Sequence, residues 1–390
     1  MKVPLLDLKA QYATLKKEIN EALIRVADSQ YFILGPEVEY LEKSLASYLG
    51  AKHAVGVSSG TDALLIALMA IDMKPGDEVI LPTFSFFATA GVVARMNAIP
   101  VLVDIDPVTF NIDPSEIEKK ITARTKAIIP VHLYGQSADM APIMEIARKH
   151  SLMVIEDGAQ AIGVQYKDGR RVGTIGNIGC YSFFPSKNLG GFGDGGLVVA
   201  NDDVLAERLK IMRVHGGKPK YYHKVIGGNF RIDAIQAAVL NVKLPYLDGW
   251  SEKRRENAAL YTKLFIENGL AEKEGKTSFD TSNTVLLPQA VYAGTGNRNY
   301  HIYNQYVIRV QRRDELKKHL SQKEIGNEIY YPVPFHRQEC FAYLKANDSD
   351  YRHSNFAAEH CLALPIYPEL TKEQIGFVVD SIAEFMRNGH

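Results

Sequence analysis

The densest chemical signal in the chain is Ser182-Phe-Phe-Pro-Ser-Lys187-Asn-Leu-Gly-Gly-Phe-Gly-Asp-Gly-Gly196. An apolar run ends at Ser182, a proline turn follows, then a lysine, then five glycines in seven residues from Gly190. Glycines this dense let backbone pass close to a ligand or adopt positive φ. Between an apolar strand and such a loop, burial would lower the lysine's pKa and expose a nucleophilic amine. The competing reading is a glycine-rich turn with a solvent-facing lysine, and spacing alone leaves both open.

A second signal is Val154-Ile-Glu-Asp157-Gly-Ala-Gln160. An apolar run delivers a carboxylate at its C-terminal end, where the sites of parallel sheets lie, and Gln160 offers a further polar contact. Asp157 could instead cap a helix or bind a metal, but no neighbouring His/Asp/Glu set exists for a metal, so none is expected. A third signal is Val57-Ser-Ser-Gly60-Thr61-Asp62-Ala63, ahead of a helical pattern. Unpaired N–H groups at a helix start beside a small hydroxyl and a glycine make an anion site, although a simple N-cap fits the same residues. There is no P-loop and no G-x-G-x-x-G. A lysine for a Schiff base, a carboxylate for a pyridinium nitrogen and a helix start for a phosphate are together the parts a pyridoxal phosphate site needs.

The elements that must position these residues read as alternating strands and helices. Candidate strands are 54–57, 78–81, 100–104, 127–131, 152–156, 179–184 and 196–200, with helical patterns at 61–70, 114–121, 140–150 and 204–214. That alternation predicts an α/β fold: a mainly parallel seven-stranded sheet covered by helices on both faces. After Val242 the pattern changes to a polar helix over 247–268, a loop-rich stretch over 272–300, and strands at 302–310 and near 328–332. Helices are expected at 313–323 and 371–387. A boundary near residue 245 is expected, with 1–245 the large cofactor-holding domain and 246–390 a smaller C-terminal α/β domain.

Composition narrows the function further. In 390 residues, 45 Lys and Arg balance 45 Asp and Glu, and 46% are apolar. A neutral chain of this kind is not expected to grip nucleic acid or an anionic membrane. No apolar run approaches the roughly 20 residues of a spanning helix, and Asp7, Lys9 and Lys16 interrupt any signal peptide. Three scattered cysteines, Cys180, Cys340 and Cys361, suit a reducing cytoplasm.

Read in order, the motifs resemble the DegT/DnrJ/EryC1/StrS family of nucleotide-sugar aminotransferases, which are fold type I pyridoxal 5'-phosphate enzymes. The likeness starts at Val3-Pro-Leu-Leu-Asp-Leu and Tyr31-Phe-Ile-Leu-Gly-Pro-Glu37. It continues through Ser59–Ala63, Pro75–Val79, Pro130–Gly135, Glu156–Gln160 and the lysine loop, and closes with Gly228-Asn-Phe-Arg231 and Tyr331–His336.

The resemblance implies a role for each matching residue. Lys187 stands where the family has its Schiff-base lysine, Asp157 where a carboxylate faces the pyridine nitrogen, and Gln160 near the ring hydroxyl. Phe86 falls where an aromatic ring stacks on the cofactor, with Phe84 and Phe87 beside it. Gly60, Thr61 and Ser182 fall at the phosphate. Asn229 matches the asparagine that reaches the neighbouring subunit's cofactor, which implies a homodimer with shared sites. Tyr222, His223, Arg231, Tyr331 and His336 are candidate substrate contacts, Arg231 being equally readable as a structural ion-pair partner.

The implied reaction moves an amino group, expected from L-glutamate, to a nucleotide-linked keto sugar, giving an amino sugar for polysaccharide or a glycosylated metabolite. Pro185–Leu189 and Tyr331–His336 look more like members acting at the 3-position, and a 4-keto-6-deoxy sugar is the alternative. Tyr330-Tyr331-Pro332 departs from the His-Tyr-Pro of many relatives, and the loop 290–300 looks long; both bear on substrate rather than cofactor. A dehydratase of the same type would carry histidine at 187. A non-catalytic regulator of the same fold would have little need of Lys187, Asp157 and Gln160 together.

Overall fold

The computed structural model describes residues 1–281 and 283–387. Two helices lead the chain, α1 (Leu8–Ser29) and α2 (Pro36–Leu49). The first half then alternates β1 (His53–Val57), α3 (Gly60–Ala70), β2 (Glu78–Pro82), α4 (Ala88–Arg95), β3 (Ile99–Val103), α5 (Pro114–Ile117), β4 (Thr125–Ile128), α6 (Met140–His150) and β5 (Met153–Asp157). It continues through β6 (Ile178–Ser182), β7 (Gly196–Ala200), α7 (Asp203–Met212), α8 (Ala234–Lys243) and α9 (Leu247–Glu267). The remainder holds β8 (Tyr306–Arg309), α10 (Arg313–Gln322), α11 (Arg352–His360), β9 (Cys361–Leu364) and α12 (Lys372–Arg387).

β1 to β7 form one sheet in the order β1-β7-β6-β5-β4-β2-β3. β7 runs antiparallel to both its neighbours, β1 and β6, while the other pairs are parallel. Six strands therefore point one way, and their carboxyl ends share one edge. Asp157, Ser182 and Ser58 all lie there, and β7 starts from that edge at Gly196, opposite both Ser182 and Val57.

Both faces of this sheet are buried, as its strand sequences require. Alternate residues of a strand point to opposite faces. Val79, Leu81, Ala127 and Ile155 join a core with α3 and α4, while Ile80, Ile128 and Val154 join another with α6. α3 is apolar on nearly every side and correspondingly buried from Ala63 to Leu68. Its first turn is fixed by Ser59, whose hydroxyl accepts from the Asp62 N–H at 3.0 Å.

β8 and β9 pair antiparallel in a separate small sheet. It shares a core with α9, α10 and α12, and Val3 of the N-terminus packs there too, bridging Ile325.

Several expectations need correction. The strand near 328–332 does not form, since Glu328 makes only one bridge to Ala363 and Pro332 has no N–H to donate. The strand β9, which does pair with β8, was not anticipated. The strand expected over 302–310 shortens to 306–309, because 301–304 turns inward to bond Gly135 and Tyr134. The helix over 114–121 keeps only its first turn before tightening to a 3₁₀ turn.

Candidate active site

Lys187 lies between the end of β6 and the glycine-rich return to β7. Its N–H donates to the Phe184 carbonyl at 2.8 Å, closing a turn that sets the side chain at the sheet edge. The side chain is half-buried, and burial pulls its ammonium down to about 8, with the Asp157 carboxylate opposing that shift. The glycines that follow are required by space. A Cβ at Gly190 would stand 2.3 Å from the Pro185 carbonyl oxygen, and at Gly196 2.4 Å from that of Ser59.

Asp157 is the last residue of β5 and is 5% exposed. Its Oδ2 accepts from the Thr89 hydroxyl at 2.9 Å, and its Oδ1 from the Ala159 N–H at 3.1 Å. Burial raises its pKa, and these two donors and Lys187 counteract that rise. The carboxylate is thus held at a fixed place, desolvated and incompletely neutralised. Its own backbone is clamped from both sides, by the Pro130 carbonyl and the His132 N–H.

The preceding residue, Glu156, points away from the site into a fully buried socket. Its carboxylate accepts from the N–H groups of Gly173, Ile175 and Gly176 and from His132 Nε2 at 2.6–2.9 Å. His132 Nδ1 accepts from the Ala138 N–H at 3.0 Å, so the ring carries its proton on Nε2. One strand thus ends in two carboxylates, one fully paired as structure and one left with spare acceptor capacity.

Gln160 accepts from the Tyr134 N–H at 2.7 Å and donates to the Tyr331 hydroxyl at 3.0 Å. The Tyr331 ring lies 6.1 Å from that of Phe86 and also 6.1 Å from that of Phe84. The two phenylalanines divide cleanly. Phe84 is fully buried core, whereas Phe86 is 56% exposed and is the ring free to cover a ligand. Phe87 stacks on Phe341 at 5.6 Å.

Gly60, Thr61 and Ser182 form a cradle at the start of α3. A Cβ on Gly60 would meet Ser182 Cβ at 2.7 Å, so only glycine lets the helix start sit against this strand end. The first-turn N–H groups of a helix start such as this can bind a phosphate, and Ser182, whose hydroxyl accepts from the Phe184 N–H at 3.2 Å, lies against it. Arg231, whose backbone bridges Val57, lines a cleft together with Ser58, Ser59, Asp62 and Asp194.

The remaining candidates lie elsewhere in this chain. Tyr222 and His223 sit on an exposed loop, where His223 Nδ1 faces the His215 carbonyl. Asn229 is exposed, its backbone paired with Val214. His336 is absorbed in structure: Nδ1 meets the Thr83 hydroxyl at 2.9 Å, Nε2 meets Asn355 and Asp348, and the ring stacks on Tyr351. Burial lowers its pKa. Thr89 is the site residue that sequence reasoning passed over. It lies in the same Thr83–Thr89 stretch as Phe86 but faces the interior. Among the described residues no group of three or more His, Cys, Asp and Glu could hold a metal ion, and no helix is long and apolar enough to cross a membrane.

Residues 13–383 match the model of the DegT/DnrJ/EryC1/StrS aminotransferase family. The chain belongs to this family. Among its members, a pleiotropic regulatory protein of Geobacillus stearothermophilus is 51% identical over the full length of both chains. A UDP-N-acetyl-3-dehydro-alpha-D-glucosamine 3-aminotransferase of Acidithiobacillus ferrooxidans is 43% identical over 97% of each. The crystal structure of DesV from S. venezuelae, in complex with a ketimine intermediate, superposes with a TM-score of 0.91 at 40% identity over 99% of each chain. The DegT/DnrJ/EryC1/StrS fold is thus confirmed from end to end.

The family's cofactor is pyridoxal 5'-phosphate, and the residues present fit it. Lys187 offers an amine of lowered basicity, Asp157 a buried carboxylate with acceptor capacity, and Gly60 a helix start packed so closely on Ser182 that any side chain at 60 would clash.

Proposed function

We propose that this protein is a pyridoxal phosphate-dependent aminotransferase that places an amino group on a nucleotide-linked 3-keto sugar, with L-glutamate as the expected donor. The observation that carries the reading is the convergence of Lys187, Asp157 and the Gly60–Ser182 cradle at one sheet edge. The 3-position draws support from the 3-aminotransferase at 43% identity. The regulatory relative at 51% identity does not displace it, because the lysine, carboxylate and glutamine are all present and mutually placed.

When bound, the cofactor supplies a carbonyl that can carry an amino group between substrates and a ring that withdraws electrons. The chain's own residues do the rest. Lys187, with its pKa lowered to about 8, is neutral in roughly a tenth of molecules at pH 7, far more than an ordinary lysine. With the cofactor held here, Nζ would be the base that takes the proton from the donor's Cα and returns one to the acceptor carbon. Base catalysis of this kind is typically worth roughly 10²–10⁴-fold. Asp157, held by Thr89 and Ala159, would hold a protonated ring nitrogen by a charge-assisted hydrogen bond. Gln160, fixed by Tyr134 and Tyr331, would hold the ring's polar edge, and the exposed Phe86 would pack on the ring.

The working unit in this reading is a cytoplasmic homodimer, with Asn229 of each subunit reaching the other's phosphate. Its exposure and lack of a side-chain partner within the described chain support that role. Residues 1–245 form the cofactor-holding domain and 246–390 the smaller one, a division supported by the separate core around β8 and β9. The direct test is incubation of purified enzyme with glutamate and matched 3-keto and 4-keto sugar nucleotides. Amination of the 3-keto substrate is expected; amination of the 4-keto substrate alone would move the reaction to C4, and neither would remove the function.

A further inference from the structure

Asn188 follows Lys187 directly, yet its side chain points into the protein and is 4% exposed. Its Nδ2 donates to the Ile302 carbonyl at 3.0 Å, and its Oδ1 accepts from Asn304 Nδ2 at 2.7 Å. Asn304 is also buried, at 8% exposed. The segment that supplies these partners is bonded in turn to the other wall of the site. Ile302 N–H donates to the Gly135 carbonyl and Asn304 N–H to the Tyr134 carbonyl, both at 2.9 Å. Tyr134 N–H donates to Gln160 Oε1 at 2.7 Å.

The contact is too close to be incidental. Gly135 has φ +95°, and a Cβ there would stand 2.9 Å from Asn304 N. Tyr134 and Tyr303 both hold positive φ, at 57° and 42°, so the two crossing segments are shaped to meet. The segment is anchored from behind by Arg254 of α9, 3% exposed, whose guanidinium donates to the carbonyls of Tyr303 and Ile366 at 2.9 and 2.8 Å.

We propose that Asn304 is a positioning residue: through Asn188 on one side and Tyr134 on the other, it locks the lysine wall and the glutamine wall of the cofactor pocket into one register. The inference rests on Lys187 being the cofactor-bearing lysine. An apolar pair at 188 and 304 would pack as well, but it would carry no directional bond to set the lysine backbone against Gln160. A buried polar pair of this kind specifies alignment, and alignment errors of about 1 Å can cost roughly 10²-fold in rate.

The test compares wild type with Asn304→Leu, which fills the space without the donor, and Asn304→Ser, which is too short to reach Asn188. Three quantities are read on folded protein. They are the pH midpoint of the visible band of the holoenzyme, the rate of acylation of Lys187 in the cofactor-free enzyme, and kcat against KM. The proposal expects a displaced midpoint, an altered Lys187 acylation rate and kcat lowered roughly 10–100-fold with KM for the sugar nucleotide nearly unchanged. Unchanged midpoint, acylation rate and kcat in a folded variant would overturn it. Failure of both variants to fold would also overturn it, since the pair would then serve stability alone. A wild-type holoenzyme with no cofactor on Lys187 would instead sink the functional reading beneath it.

Discussion

Thr89 donates its hydroxyl to Asp157 at 2.9 Å, and both side chains are closed off from water. That bond counters the rise in the carboxyl's pKa that burial imposes. In Thr89→Val the carboxyl loses a donor and protonates more readily, so it no longer holds charge on the ring nitrogen. A hydrogen bond to a charged group is worth about 1.5–3 kcal/mol, which corresponds to roughly tenfold or more in kcat. Steady-state kinetics should show that loss, with Thr89→Ser retaining most of the activity.

Lys187 sets a pH dependence of its own. With its ammonium at about 8, the neutral, nucleophilic fraction of the cofactor-free enzyme grows as pH rises through that value. Stopped-flow mixing of cofactor-free enzyme with pyridoxal phosphate should give a loading rate that climbs with pH and has its midpoint near 8. A midpoint near the roughly 10.4 of an ordinary lysine would mean that burial does not act on this amine.

The cradle predicts a steric defect. In Gly60→Val the new side chain begins 2.7 Å from Ser182 Cβ, so the helix start and the strand end must move apart and disturb the N–H groups that would hold a phosphate. Cofactor affinity by fluorescence titration should fall at least about tenfold, equivalent to roughly 1.4 kcal/mol. Gly249→Ala is the control, for its Cβ would meet nothing within 4 Å, and its affinity should match wild type.

Glu156 predicts a loss of stability without a primary catalytic defect. Glu156→Gln turns an amide N–H₂ toward donors that now have a carboxylate, leaving at least one buried N–H unpaired at about 1–3 kcal/mol each. Chemical denaturation should report a lowered midpoint, while cofactor loading of the folded fraction stays intact.

Much of the fold was legible because the sheet strands are continuous apolar runs, and all seven formed within a few residues of their expected limits. Asp157 was legible as a candidate because it ends a strand, and Lys187 because it stands between a strand and a glycine-rich loop. Only the resemblance singled out Phe86, since by residue type alone Phe84 and Phe86 differ solely in which one the chain buries after β2. Thr89 gave no signal because a threonine in an apolar helix start reads as packing. His336 was a candidate substrate contact, and both its nitrogens meet Thr83, Asn355 and Asp348, partners that only the folded chain brings to it. The strand at 328–332 stopped after the single bridge from Glu328 to Ala363, because Pro332 has no N–H to continue a ladder.

The most direct measurement is mass spectrometry of the holoenzyme after borohydride reduction and proteolysis. The account predicts a single pyridoxyl group, on the peptide containing Lys187, and its disappearance together with turnover in Lys187→Ala. A pyridoxyl group on any other lysine, or undiminished turnover in Lys187→Ala, would contradict it.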